Sequence, residues 1–178
     1  MKITLLRHAE VQEEYLGKYN GHNDISLSQN GILQAKNLSA EFKAKNFDKI
    51  YCSDLLRAKE TLQLLGLPQE VIYSSKLREK SWGIHEGKSF DEIQEMGVNY
   101  ENFEQYIDAL DGENMQEYIL KIESYFKEVI FEQEAENILV VTHSGVIKVL
   151  LSILNKTSLE EAFGISLPYA SFKILNIT

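Results

Sequence analysis

A chain of 178 residues fits one domain, at roughly 150 residues per domain. Lys and Arg number 18 against 27 Asp and Glu, and the resulting net charge of −9 disfavours broad contact with nucleic acid or anionic lipid, though not a small basic pocket. Hydrophobic residues at 44% suit a packed fold rather than a disordered chain, and a single cysteine, Cys52, excludes an internal disulfide and any Cys-rich zinc site.

Met1-Lys2 leads directly into Ile3-Thr4-Leu5-Leu6, too short an apolar run for a signal peptide, and no stretch approaches the roughly 18 apolar residues that span a bilayer. A cytoplasmic location is expected. Short apolar runs rich in Ile and Val at Lys2–Leu6, Lys49–Cys52, Val71–Tyr73, Ile138–Val141 and Phe172–Ile177 read as buried strands. Between them, Ile32, Ala35, Leu38 and Phe42 recur at helical spacing behind Ser28, and a second helix reads from Leu55 to Leu65 with Ser53 as its N-cap. Glu113–Glu134 carries the stripe Met115, Ile119, Ile122, Phe126, Val129 and Ile130 of a long amphipathic helix, and Gly145–Leu154 reads as a fully apolar one. The alternation implies an α/β fold with a mainly parallel sheet. With only Pro68 and Pro168, no linker and no repeat, residues 1–178 read as one domain. Trp82–Gly112 breaks the pattern: its glycines, carboxylates and the aromatics Phe90, Tyr100, Phe103 and Tyr106 suggest short helices and loops covering one end of the sheet.

Ligands of open α/β sheets bind at the carboxyl ends of the strands. The first strand delivers Arg7-His8 there, the second Ser53-Asp54 with Arg57 a helical turn beyond, and the fourth Thr142-His143-Ser144-Gly145. Each alone reads as packing, capping or a surface ion pair. Together, two histidines and two arginines at three strand ends, beside helix N-termini, form a cationic cluster suited to a phosphate group. His22 and His85 lie in loops and read as ordinary loop residues, with His22 the one that could touch a substrate.

The segment Leu6-Arg7-His8-Ala9-Glu10 resembles the RHG motif of the histidine phosphatase superfamily, also called the phosphoglycerate mutase-like family. The resemblance continues through Tyr19–Ser28, Tyr51–Thr61, Leu77–Gly87 and Val140–Val146, in the family's order and across nearly the whole chain. It implies a phosphoglycerate mutase-like three-layer sandwich and phosphoryl transfer through a phosphohistidine, with no metal or other cofactor. By the family pattern His8 is the nucleophile, Arg7 and Arg57 grip phosphoryl oxygens, and His143 with the Ser144 backbone N–H stabilises their charge. Asn20, Gly21 and His22 fall in the phosphate- and substrate-binding block. On composition Glu79, Glu86, Asp91 and Glu92 could each be the general acid; the family's LRE-x-x-x-G pattern selects Glu79.

Two positions depart from the family pattern. Ala9 stands where most relatives have glycine, and Glu14 stands where relatives place a pocket asparagine. A carboxylate at position 14 would repel phosphate unless it points outward. The compact length leaves little room for the segments that retain phosphate in mutases, so hydrolysis of a small phosphorylated metabolite is expected over mutase activity. The Gly17-x-Tyr19-x-Gly21-His22 run most resembles the alpha-ribazole phosphatases of cobalamin biosynthesis, with broad phosphomonoesterase activity close behind. Two other readings stay open: a non-catalytic phosphate-binding regulatory domain, and a phosphohistidine protein phosphatase, which would favour an uncovered site.

Overall fold

The structure, a computed structural model, describes residues 1–177. Five strands form one sheet: β1 (Lys2–Arg7), β2 (Lys49–Ser53), β3 (Val71–Ser74), β4 (Asn137–Thr142) and β5 (Phe172–Asn176). Their order is β3-β2-β4-β1-β5, parallel except for β5, which runs antiparallel along β1. The runs at β1, β2 and β4 are apolar on both faces because both faces are covered. Ile3, Leu5, Tyr51, Ile138 and Val140 enter a core beneath α5 (Met115–Tyr125) and α6 (Ser144–Asn155). Leu6, Ile50, Cys52, Leu139 and Val141 enter a second core with Phe42 of α1 (Gln29–Ala44) and Leu62 of α2 (Leu56–Leu65). The architecture is therefore helix, sheet, helix. β3 and β5 differ from the expected buried strands: both are edges, with Ile72, Tyr73 and Ile174 exposed. No helix among the described residues is long and apolar enough to cross a membrane.

Ser28 caps α1 as its sequence suggests, its hydroxyl accepting from the Gly31 N–H at 2.9 Å. Ser53 does not cap α2. Leu55 holds that position, and the Leu56 N–H donates instead to Asp24 Oδ1 at 2.6 Å, leaving the Ser53 hydroxyl for the site. The expected helix over Glu113–Glu134 is shorter and not uniform: α5 begins after its cap Asn114 and passes into a single π turn over Phe126–Ile130. That wider turn keeps Phe126 and Ile130 facing the same core as Met115 and Ile122. Residues 82–112 hold a 3-10 turn (Gly83–His85) and two short α-helices, α3 (Phe90–Glu95) and α4 (Phe103–Ala109). The Tyr106 hydroxyl meets that of Tyr19 at 2.7 Å, and Phe103 packs on Phe163 of α7 (Leu159–Gly164) at 5.5 Å between ring centres.

Candidate active site

Parallel pairing of β1 with β4 sets Arg7 opposite Thr142, so the next residue of each strand, His8 and His143, leaves the sheet at the same level. The His8 N–H donates to the Thr142 carbonyl at 2.9 Å, and the two imidazole centres lie 5.1 Å apart. His8 Nδ1 is 2.8 Å from the Ala9 carbonyl oxygen. Only a protonated nitrogen can pair with a carbonyl, so the proton sits on Nδ1 and Nε2 carries a free lone pair. Burial, followed by the charges of Arg57 and Arg7, holds His8 well below the usual imidazole range; burial, then Arg57, His8 and Arg7, does the same to His143.

These neutral imidazoles make folding sensitive to acid. In the unfolded chain each binds a proton near pH 6.5, whereas in the folded chain each resists it to much lower pH. Stability is therefore present above about pH 6.5 and falls as pH drops below it, by up to about 1.4 kcal/mol per pH unit for each imidazole. Thermal melts are expected to show a midpoint that drops between pH 7 and pH 5, and His8→Gln is expected to remove about half of that slope.

Donors without acceptors surround this pair. Arg7 Nε, Arg57 Nε and His143 Nδ1 are buried and have no hydrogen-bond partner among the described residues. Ser53 Oγ, which accepts the Leu55 N–H, lies 2.8 Å from His143 Nε2; the tautomer in which this hydroxyl donates to Nε2 carries the His143 proton on Nδ1, free for an anion. Arg7 donates from Nη1 to the Leu167 carbonyl and lies 4.0 Å over the Tyr169 ring. Arg57, fully buried, donates from Nη1 to the carbonyl of Asn23 and from Nη2 to those of Asn20 and Gly21. Arg57 thus spends both outer nitrogens on backbone and Arg7 spends Nη1, while both keep a buried Nε–H unspent. Unpaired buried donors are costly, and an anion in contact with them would offset that cost.

A cavity of about 180 Å³ opens beside His8, lined by Arg7, Asn20, Glu79 and Ser144 together with Lys18, Tyr19, Trp82, Gly145, Lys148, Phe163 and Tyr169. Arg57, His143, Gly21 and His22 are not among its lining residues: the first three are buried, and His22 is exposed. Asn20 donates to the Tyr15 carbonyl at 2.7 Å, which fixes its side chain at the rim. Glu86 accepts the N–H groups of Gly21, His22 and Trp82, all within 2.9 Å, and so is committed to pinning the 20–22 loop to the 82 turn. A Cβ at Gly21 would come within 2.2 Å of the Lys80 carbonyl, so only glycine permits this approach. Asp91 and Glu92 are exposed, the latter in the capping box of α3. Among the four carboxylates considered from sequence, Glu79 alone reaches the cavity. His85 is buried and its Nδ1 accepts the Asp111 N–H at 3.0 Å, a structural bond.

Neither departure from the family pattern obstructs the cavity. Glu14 is exposed in a short 3-10 turn, and Ala9 is buried with its N–H donating to Thr61 Oγ1 at 2.9 Å. Among the lining residues not singled out from sequence, Lys148 had a readable signal, four residues beyond Ser144 and so on the same helical face. Trp82, Phe163 and Tyr169 come from segments without periodicity.

The family model described as "Histidine phosphatase superfamily (branch 1)" matches residues 3–178. The adenosylcobalamin/alpha-ribazole phosphatase of Escherichia coli K12 is 34% identical over 162 residues, 86% of this chain and 79% of that protein. Phosphoserine phosphatase 1 of Hydrogenobacter thermophilus is 26% identical, with 99% of this chain and 87% of that protein covered. The crystal structure of the alpha-ribazole phosphatase from Shigella flexneri superposes with a TM-score of 0.86 at 30% identity, covering 100% of this chain and 91% of its own. A match over almost every residue, on a sheet whose strand ends carry two buried neutral imidazoles, leaves one conclusion: this chain belongs to the histidine phosphatase superfamily.

Proposed function

We propose that the chain is a phosphomonoesterase that passes the phosphoryl group of a small metabolite first to His8 and then to water. The observation that supports it best is the set of three buried, unpartnered donors, Arg7 Nε, Arg57 Nε and His143 Nδ1, around one neutral imidazole. In the first step the His8 Nε2 lone pair attacks phosphorus, the ester P–O bond breaks, and Glu79 gives its proton to the departing oxygen. In the second, Glu79 takes a proton from water as the water oxygen bonds phosphorus, and the P–N bond returns its electron pair to Nε2. The three donors, with the Ser144 N–H, stabilise charge on the equatorial oxygens throughout. Neither step draws on a metal or a cofactor. The chain works as one domain in the cytoplasm, with residues 82–112 covering the site; Trp82 in the cavity wall and the contacts of Phe103 and Tyr106 support that cover.

Beyond the reacting centre, the cavity offers the rings of Tyr19, Trp82, Phe163 and Tyr169. These surfaces suit an alkyl leaving group that carries a flat aromatic base, and alpha-ribazole 5'-phosphate, named in a structural relative's description, is such a molecule. The test is hydrolysis, by purified protein with a chelator present, of p-nitrophenyl phosphate, alpha-ribazole 5'-phosphate, phosphoserine, 3-phosphoglycerate and a phosphohistidine protein. Metal-free turnover with the highest kcat/KM for alpha-ribazole 5'-phosphate is expected. A flat profile overturns the substrate assignment; orthophosphate binding without any turnover overturns the enzyme reading in favour of a regulatory domain.

A further inference from the structure

Glu79 is held from three sides. Its Oε1 accepts the hydroxyl of Tyr118 at 2.9 Å and the Lys80 N–H at 3.1 Å, and its Oε2 accepts the N–H of Gly145 at 2.9 Å. Tyr118 lies on α5 across from the sheet, its ring buried among core residues, with this hydroxyl contact aimed at the cavity wall. Burial, reinforced by the neighbouring Glu79 charge, raises the phenol well above its ordinary range, so Tyr118 acts only as a donor. Gly145 is equally constrained: a Cβ there would lie 2.0 Å from Glu79 Oε1 and 3.1 Å from the Tyr118 oxygen. The carboxyl group therefore occupies the space that any larger residue at position 145 would take.

We propose that Tyr118 and Gly145 are positioning residues that fix the Glu79 carboxyl and reserve Oε2 as the proton-carrying oxygen. A carboxylate oxygen has two lone pairs. Two donors occupy Oε1, whereas one donor leaves Oε2 a free lone pair, which takes up and releases the proton. The inference rests on Glu79 being the general acid of the function proposed above. A purely structural Tyr118, filling the core beside Met115 and Ile122, would have no preference for one carboxyl oxygen and no link to the leaving group.

The experiment compares kcat/KM, which reports the step that expels the leaving group, for an alkyl phosphate and for p-nitrophenyl phosphate. It uses Tyr118→Phe and Gly145→Ala in the wild-type and Glu79→Gln backgrounds, with melting curves for every variant. An alkyl oxygen needs a proton to depart and p-nitrophenolate does not. Both single variants are therefore expected to lose about 10- to 100-fold on the alkyl phosphate and less than about threefold on the aryl one. In the Glu79→Gln background neither is expected to lose anything further on the alkyl phosphate, because the group it positions has already been disabled. Equal losses on both substrates, or a full additional loss in that background, would show a merely structural role and overturn the proposal. If Tyr118→Phe lowers the yield of folded protein, Gly145→Ala carries the same comparison. Glu79→Gln itself separates the two levels. A leaving-group-selective loss there with harmless Tyr118→Phe and Gly145→Ala sinks this inference alone, and no selective loss there sinks the acid assignment beneath it.

Discussion

Replacing His8 with alanine is expected to lower turnover by more than about 10⁴-fold while leaving orthophosphate binding measurable. The imidazole is buried, neutral and oriented by the Ala9 carbonyl so that Nε2 is its unprotonated nitrogen. No second nucleophile stands ready to replace it. His143 commits Nε2 to Ser53, and burial raises the Cys52 thiol so far that its thiolate is inaccessible. The anion site survives the substitution, because its unpartnered donors belong to Arg7, Arg57 and His143. Steady-state kinetics with p-nitrophenyl phosphate, paired with calorimetric titration of orthophosphate, check both halves. Turnover within tenfold of wild type would place the nucleophile elsewhere.

Arg57→Ala is expected to damage both the fold and the chemistry. Its guanidinium is fully buried, and its donors satisfy the carbonyls of Asn20, Gly21 and Asn23. Removing it strands three acceptors and loosens the loop that carries Asn20 to the cavity rim, a cost of about 3–5 kcal/mol. For a chain of this length that corresponds to a fall on the order of 10 °C in melting temperature. The loss of the charge and of the Nε–H beside His8 is expected to cost a further factor of about 10³ in kcat/KM, measured below the new melting range. Arg57→Lys restores neither, because a compact ammonium cannot reach three carbonyls and the phosphoryl group with one rigid fork. Arg57→Lys with wild-type stability and activity would contradict the role given to this side chain.

These two residues also show how far the sequence could be read. The convergence of Arg7, His8, Arg57 and His143 follows from strand ends and motif order, since parallel neighbours β1, β4 and β2 must release their next residues at one edge. What Arg57 does with its outer nitrogens was not legible, because the carbonyls it meets belong to a loop more than 30 residues away in the chain. Ser53 shows the same limit: a serine ahead of a helix looks like a cap until the packing turns its hydroxyl to His143. The four carboxylates of residues 79–92 could not be separated by composition either. Their separation comes from backbone N–H groups that engage Glu86 and from a cavity that only Glu79 reaches. Of the aromatic wall, Tyr19 and Trp82 fall in motif blocks, but their meeting with Phe163 and Tyr169 was not legible, because the four rings come together only through tertiary packing.

The account stands on transient phosphorylation of His8, and rapid quenching of the enzyme with substrate labelled in its phosphoryl group tests it most directly. The expected result is label on a single residue, His8, through a bond that acid hydrolyses and base spares, appearing and decaying at rates that support turnover. Full turnover by the wild-type protein with no trapped label, or label carried by any residue other than His8, would contradict it.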